Sequence, residues 1–195
     1  MTRYRPGLAL VLLAAGWLAG CAGPHYLQPA PERSVQVPAV GRGQAVRVIA
    51  RDAREEAVIG SRSGSAGTTA VIIVDPGALT ARLQAEAERA VRDMGFRPTR
   101  DAAPGRPRLT LTLERLAYDR GEAPPLVGSV RLTAVLVAEA RHDGTTHTGT
   151  YTARRSRQYA VKPDREANQA MVEALLADAL DRAFGDPALA GLLSR

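Results

Sequence analysis

The stretch "VGSVRLTAVLVAEARHDGTTHTGTYTARR", residues 127–155, decides the fold of this 195-residue chain. Its first half alternates apolar and polar residues, as a half-buried strand does. The residues that share the apolar side are Val130, Leu132, Ala134, Leu136 and Ala138. Asp143-Gly144 separates the two halves, and this dipeptide is typical of a two-residue hairpin turn. The stretch therefore predicts two long antiparallel strands with one apolar face.

The preceding stretch, "RPRLTLTLERLAYDR" at residues 106–120, continues the sheet. Leu109, Leu111 and Leu113 share one parity, whereas Leu116 and Tyr118 have the opposite parity. Such a change of phase indicates a bulge or a bend in a long strand, because one inserted residue reverses the alternation of a strand. This stretch and the hairpin together predict three consecutive antiparallel strands.

The first half of the domain predicts a further pair of strands. "QAVRVIARDAR", residues 44–54, carries Val and Ile residues in an extended pattern. Val58 and Ile59 then lead into a loop rich in Gly and Ser, residues 60–69, before "VIIVD" at residues 71–75 resumes as a short strand. We expect this region to form a hairpin with a long tip.

Two amphipathic helices are predicted. Asp75-Pro76 suits the start of the first helix, since Asp can cap it and Pro fits its first turn, and Gly95-Phe96 suits its end. Asp164 can cap the second helix, which Gly185 ends. The apolar residues at helical spacing are Leu79, Leu83, Ala87, Ala90, Val91 and Met94, and then Met171, Val172, Leu175, Leu176, Leu180 and Phe184. A short amphipathic tail follows the second helix.

These elements predict an α+β fold. A sheet with one apolar face needs cover, and two amphipathic helices provide it. We therefore expect a two-layer sandwich, a mainly antiparallel sheet covered by two helices, in the order β-β-α-β-β-β-α.

The N-terminus predicts export. Arg3 and Arg5 precede the apolar run "GLALVLLAAGWLAG", residues 7–20, which is shorter than the roughly 20 apolar residues that a spanning helix needs. The run ends at Cys21, the only cysteine of the chain, so the fold contains no disulfide.

Leu18-Ala19-Gly20-Cys21 resembles the lipobox of bacterial lipoproteins. That resemblance implies cleavage before Cys21, a diacylglycerol on its sulfur and an acyl group such as palmitate on its new amino group. An ordinary signal peptide with a cysteine near its cleavage site is the alternative. Ala22 stands where an Asp would retain such lipoproteins at the inner membrane, so the resemblance implies the outer membrane, facing the periplasm.

The expected organisation is a signal peptide at residues 1–20, a lipidated Cys21 with a Pro-rich tether at residues 21–43, and one α+β domain at residues 44–195. A tether in polyproline geometry, at about 3.1 Å per residue, would hold the domain several nanometres from the bilayer. The chain without its signal peptide has a formal charge of only +4, and nucleic acid is not an expected partner in that compartment. Arg154, Arg155 and Arg157 form the one dense basic cluster, which is either a solvated strand end or a contact for an anionic lipid or polyanion.

The chain resembles the YajG-type family of bacterial lipoproteins over residues 40 to 190. The resemblance is carried by "VRVIARDARE" with Asp52 and Arg54, by Ile59-Gly60 after it, and by the helix ending "RDMGF". The loop at residues 60–69 departs from the family pattern. The family implies an outer-membrane lipoprotein with no catalytic residues to transfer.

The search for a reaction centre favours no enzyme, no cofactor and no metal. His142 and His147 flank the Asp143-Gly144 turn. Together with Asp143 they would be three metal ligands, which is an incomplete set for a zinc site. The chain has no His-Glu-x-x-His motif, phosphate-binding loop or nucleophile elbow. A hydrolase that depends on the two histidines is the weakest interpretation.

Asp52 and Arg54 lie on one side of a predicted strand. They form either a salt bridge on the solvent face or a possible patch that docks a partner. Tyr118, Tyr151 and Tyr159 are expected to pack across strands.

The anchor, the tether and the absence of catalytic motifs favour a non-catalytic accessory or interaction protein of the cell envelope. Its expected partners are the membrane, through the lipid, and another envelope protein, and the sequence predicts no oligomeric state. The alternative is a module that binds a lipid, a glycan or a peptidoglycan fragment between the helices and the sheet.

Overall fold

The protein has an α+β fold in a computed structural model, which describes residues 23–62, 71–121 and 128–195. Within these ranges the chain forms eight strands and three helices. The strands are β1 (His25–Leu27), β2 (Ala45–Asp52), β3 (Val58–Ser61), β4 (Val71–Val74), β5 (Arg97–Thr99), β6 (Arg108–Arg120), β7 (Gly128–His142) and β8 (Thr145–Tyr159). The helices are α1 (Pro76–Asp93), α2 (Arg165–Phe184) and α3 (Pro187–Leu193).

The three long strands β6, β7 and β8 are consecutive and antiparallel, which confirms that prediction. The predicted bulge is also confirmed, since the register between β6 and β7 shifts between Leu113 and Arg115. The turn between β7 and β8 has φ of 46° at Asp143 and 74° at Gly144. Positive φ at both central residues is the geometry of the twisted hairpin turn that Asp-Gly favours.

The sheet as a whole is mixed. The edge of β6 that faces away from β7 has two partners. Strand β2 runs parallel to residues 108–113 of β6, and β3 pairs with β6 beyond the bulge, at Tyr118. Strand β5 extends the sheet beside β2, while β4 and then β1 extend it beside β3. Gly60 permits the approach of β3, because a Cβ there would lie 1.9 Å from the carbonyl oxygen of Tyr118.

The predicted hairpin in the first half is confirmed for β3 and β4, which pair antiparallel. Most of its tip, residues 63–70, lies outside the described residues. Strand β2 is not part of this hairpin and lies between β5 and β6, parallel to both. In this position both edges of β2 are paired, and its alternate residues Val46 and Val48 are buried.

The helices are capped as predicted. Asp75 accepts a hydrogen bond from the Ala78 N–H at 2.7 Å, and Asp164 accepts one from Ala167 at 2.8 Å. At the end of α1 the Phe96 N–H bonds the Val91 carbonyl at 3.1 Å, which satisfies a carbonyl that the helix leaves free. The predicted order lacks β1 and β5, because strands of three residues are too short to show a periodic pattern. It also counts β2 and β3 as one strand and treats α3 as an amphipathic tail.

The helices pack on the apolar side of the sheet. Helix α1 contacts β2, and both α2 and α3 contact β7 and β8. Val48, Leu109 and Ala140 are register partners on three neighbouring strands, and each is at most 1 % exposed. Residues paired in register share a face, so the core lies between this side of the sheet and the helices.

The segment predicted as a tether lies against the domain. We call residues 25–43 the N-terminal strap. It begins with β1, which pairs with β4 and buries Leu27, and then crosses both long helices. The backbone N–H groups of Ser34 and Val35 bond Asp181 of α2 at 2.7 and 3.0 Å. The strap is therefore fixed to the domain rather than freely extended, while the domain boundaries stay predictions.

Arg33 is the central side chain of the strap. Its guanidinium pairs with Glu86 and Asp93 of α1, and the Arg33 and Glu86 side chains are 7 % and 5 % exposed. A charge that is removed from water needs such partners. Proline-rich composition therefore misled the sequence interpretation, because contacts with residues more than 50 positions away hold this segment.

No helix within the described ranges is both long and apolar enough to cross a membrane.

Candidate interaction surface

The outer edge of β8 is the largest unpaired backbone feature in the described part of the chain. All 15 residues of β8 pair with β7, and no described strand lies on the opposite edge. An edge strand of this length presents a row of free backbone donors and acceptors. Such a row can pair with a strand of another chain.

The two-residue turn fixes which backbone groups face outward. His142 and Thr145 flank the turn, and the flanking residues of a hairpin of this type exchange hydrogen bonds. Hydrogen bonding alternates along an antiparallel pair. The even-numbered residues of β8, from Thr146 to Gln158, therefore direct their N–H and C=O groups away from β7.

The odd-numbered side chains of β8 attach the strand to the helices. The Tyr151 hydroxyl donates to Asp186 at 2.5 Å, and Nε2 of His147 donates to the same carboxylate at 3.0 Å. The other oxygen of Asp186 caps α3 through the N–H of Ala188 at 2.8 Å. Arg155 forms two bonds to Asp178 of α2, at 2.6 and 2.8 Å. The edge is thus held in its extended shape by its own domain.

The Asp186 carboxylate stays ionised over a wide pH range. Burial acts to raise its pKa, but the hydrogen bonds from Tyr151 and His147 outweigh burial and leave the pKa below the ordinary value. The pKa of Tyr151 is raised, first by burial and then by its bond to Asp186. Tyrosine therefore remains the donor and aspartate the acceptor at neutral pH.

The predicted arginine cluster lies in the second half of β8. Arg155 pairs with Asp178, but Arg154 and Arg157 are exposed and contact no carboxylate in the described residues. The cluster therefore gives this part of the edge a positive charge.

Asp52 and Arg54 pair with each other. Nη2 of Arg54 lies 2.6 Å from Oδ2 of Asp52 and 3.1 Å from the carbonyl oxygen of Val74. The side chains of Asp52 and Arg54 are 1 % and 5 % exposed, so the pair is buried and not on the solvent face. It joins the end of β2 to the end of β4, and a docking role for it stays a prediction.

The other predicted chemistry is separated or outside the described residues. Nδ1 of His142 lies 3.3 Å from the Leu192 carbonyl oxygen, near the end of α3. His147 contacts Asp186, which caps the start of the same helix, so the two histidines contact opposite ends of α3. The described ranges hold no group of three His, Cys, Asp or Glu residues placed to bind a metal. Cys21 lies outside the described residues.

Asn168 is a buried polar residue that sequence reasoning missed. Its side chain is fully buried, accepts a hydrogen bond from the Tyr118 hydroxyl at 3.1 Å and donates to Nδ1 of His25 at 3.0 Å. This chain of bonds connects β6, α2 and the strap. The one available signal was its helical spacing, because Asn168 precedes Met171 and Val172 on the apolar side of α2.

We expect the His25 contact to weaken as the pH falls. Nδ1 accepts from Asn168 and must therefore be unprotonated. The pKa of His25 lies below 6.5, first because of burial and then because of Arg62 and Arg165, while Glu166 and Asp164 oppose these effects. The contribution to stability is present above pH 6.5 and declines as the pH falls through the folded pKa.

Urea unfolding at a series of pH values measures this effect. The His25→Gln variant is the control, because glutamine can accept the same bond but does not titrate. The stability of the native chain should fall further than that of the variant below pH 6.5. Parallel pH profiles would contradict the role of His25.

The fold and surface define a class, that of small α+β domains with an open sheet edge. The chain belongs to the family described as uncharacterized lipoprotein, whose model matches residues 31–194. This is the YajG-type family of bacterial lipoproteins that the sequence resembles.

A solved structure with a TM-score above 0.5 supports the same fold. A protein from Xanthomonas campestris is similar at 18 % identity with a TM-score of 0.52, covering 86 % of this chain and 95 % of that one. A minor lipoprotein from Acinetobacter baumannii has 14 % identity and a TM-score of 0.41, covering 77 % of this chain and 90 % of that one. None of the curated proteins matches the chain.

Proposed function

We propose that this chain is a non-catalytic accessory lipoprotein, anchored in the outer membrane through Cys21 and facing the periplasm, that binds an extended segment of another envelope protein along β8. The single observation that carries the proposal is the outer edge of this 15-residue strand, which pairs with no described strand. Pairing with a partner strand would satisfy its free backbone groups.

The rigidity of β8 supports this mode of binding. Association costs free energy when flexible groups must be ordered, and a preformed site reduces that cost. Asp186 and Asp178 hold β8 from the helix side through Tyr151, His147 and Arg155. The strand therefore has its binding shape before a partner arrives.

The charge of the edge indicates the chemistry of the partner. Arg154 and Arg157 lie within the outer edge strand and are exposed. Complementary charge favours correct partners and opposes like-charged ones. The partner segment is therefore an extended, acidic stretch of another protein, and a second copy of this basic strand fits less well.

A lipid on Cys21 would hold the domain near the membrane. Cys21 precedes His25, the first residue of β1, by four positions, and four residues span at most about 14 Å. Since the strap is bound to the domain, the domain lies close to the bilayer surface rather than several nanometres away. A partner near that surface is within reach.

Lipidation of Cys21 has a direct test. The Cys21→Ser variant removes the sulfur that receives the diacylglycerol, so it should incorporate no lipid and should keep its signal peptide uncleaved. Metabolic labelling with palmitate, followed by mass spectrometry of the N-terminus, measures both. A variant that still carries label and is cleaved before residue 21 would refute the attachment site.

Crosslinking in native envelopes tests the binding mode. The backbone N–H and C=O groups of Thr148 point away from β7. A photoreactive residue at this position should form adducts with another protein, and mass spectrometry should show that the crosslinked segment of that protein is acidic. The matched control is a photoreactive residue at Arg82, which is exposed on α1. Equal adducts from both positions, or adducts between copies of this chain alone, would contradict the proposal.

A further inference from the structure

Three arginines form a row across the sheet on the side away from the helices. Arg47 of β2 pairs in register with Arg108 of β6, and Arg108 pairs in register with Arg141 of β7. We call these three residues the arginine row. Residues directly opposite in a sheet have Cβ atoms about 5 Å apart, and like charges in such positions are destabilising. The row therefore concentrates positive charge at a cost to the fold.

The neighbouring groups compensate this charge only in part. Nε of Arg47 donates to the Arg100 carbonyl at 3.3 Å, and Arg141 lies 3.5 Å from the Glu139 carboxylate. The side chain of the central residue, Arg108, makes no hydrogen bond or ion pair with the described residues, and its Nε is buried without a partner. Arg108 therefore has the least compensated charge of the three arginines.

A cavity of about 240 Å³ lies beside the row. All three arginines line it, and Arg106 adds a fourth guanidinium from the connection that precedes β6. Among the described residues that line it, Asp143 supplies the one carboxylate, and its side chain is 76 % exposed. Such a cavity is strongly electropositive and is open to solvent.

We propose that this cavity binds a phosphate group. Guanidinium groups bind phosphate oxygens through paired, charge-assisted hydrogen bonds, and four of them can surround one tetrahedral anion. The anion would reduce the repulsion within the row and give the Arg108 guanidinium a counter-charge. This site is separate from the β8 edge and does not depend on the proposed partner. The phosphate belongs either to a soluble anion or to the headgroup of an anionic phospholipid.

Arginine modification by phenylglyoxal distinguishes these sources. The full chain is inserted by its own anchor into phosphatidylcholine vesicles, and modified arginines are quantified by mass spectrometry. Protection of Arg108 on addition of inorganic phosphate, but not of chloride, indicates a soluble anion. Protection in phosphatidylglycerol vesicles without added phosphate indicates the headgroup. Arg82, which is exposed on α1, should stay reactive in every sample.

A variant provides the second measurement. Arg108→Gln should weaken phosphate binding by about tenfold or more, because a charge-assisted bond is lost, and its melting temperature should no longer rise with phosphate. In chloride the variant should be at least as stable as the native chain, since the repulsion is reduced. Arg82→Gln should retain the phosphate response. Absence of protection in both kinds of vesicle, with no effect of phosphate on the native melting temperature, would overturn the proposal.

Discussion

The Arg54→Met variant is expected to lose about 3–5 kcal/mol of unfolding free energy, because it leaves a buried carboxylate without its cation. The Asp52 side chain is 1 % exposed, and Arg54 supplies its bonds through Nε and Nη2 at distances from 2.6 to 3.0 Å. Methionine occupies much of the arginine volume, so the loss reports the charge rather than a cavity. Urea denaturation followed by circular dichroism measures it.

The double variant Asp52→Leu/Arg54→Met is the matched control. Replacing both partners of a buried pair by apolar residues is often neutral or stabilising, so the double variant should recover most of the stability. A single variant as stable as the native chain would show that solvent reaches Asp52. A double variant as unstable as the single one would show that packing, and not charge, is what the pair contributes.

The long elements of the fold could be predicted because each has a strong local signal. Strand β7 alternates regularly, β6 alternates on each side of its bulge, Asp143-Gly144 specifies one turn type, and α1 has a capping residue at each end. The parallel position of β2 could not be predicted in this way. It depends on β6 offering a free edge on one side of its bulge, which is a property of two strands more than 50 residues apart.

The sequence predicted the pairing of Asp52 with Arg54 but not its burial. Alternation places both residues on one side of a strand, and only the fold shows that β4 comes close enough to contribute the Val74 carbonyl. The same limit applies to the arginine row. Arg47, Arg108 and Arg141 are widely separated in sequence, and sheet register alone brings them together.

The sequence predicted that β8 is a strand but not that it lies at the edge of the sheet. Its arginines predicted either solvent exposure or an anionic contact, and the fold adds that no described strand covers its outer side. Whether a strand is central or at an edge depends on the topology of the whole sheet. Local patterns do not contain that information.

The Thr150→Pro variant is expected to prevent partner binding while leaving the domain folded. Thr150 pairs with Val137, its N–H points away from β7, and its side chain is exposed. Proline removes this outward donor and places its ring where a partner strand would lie, but it breaks no bond to β7. We expect adducts of the Thr148 photoreactive group with the partner to decrease about tenfold or more.

Thr150→Val is the matched control, because valine keeps the backbone N–H and has nearly the same shape as threonine. Its adducts should equal those of the native chain. Thermal unfolding of both variants verifies that the domain remains folded, and we expect only a small loss for proline at an unpaired edge position.

The comparison of these two variants in native envelopes tests strand addition at β8 most directly. The proposal predicts that Thr150→Pro loses the crosslinked partner, that Thr150→Val retains it, and that both proteins are folded and membrane-bound. Equal recovery of the same partner from two folded variants would contradict it, because the partner would then bind without the outward backbone groups of β8.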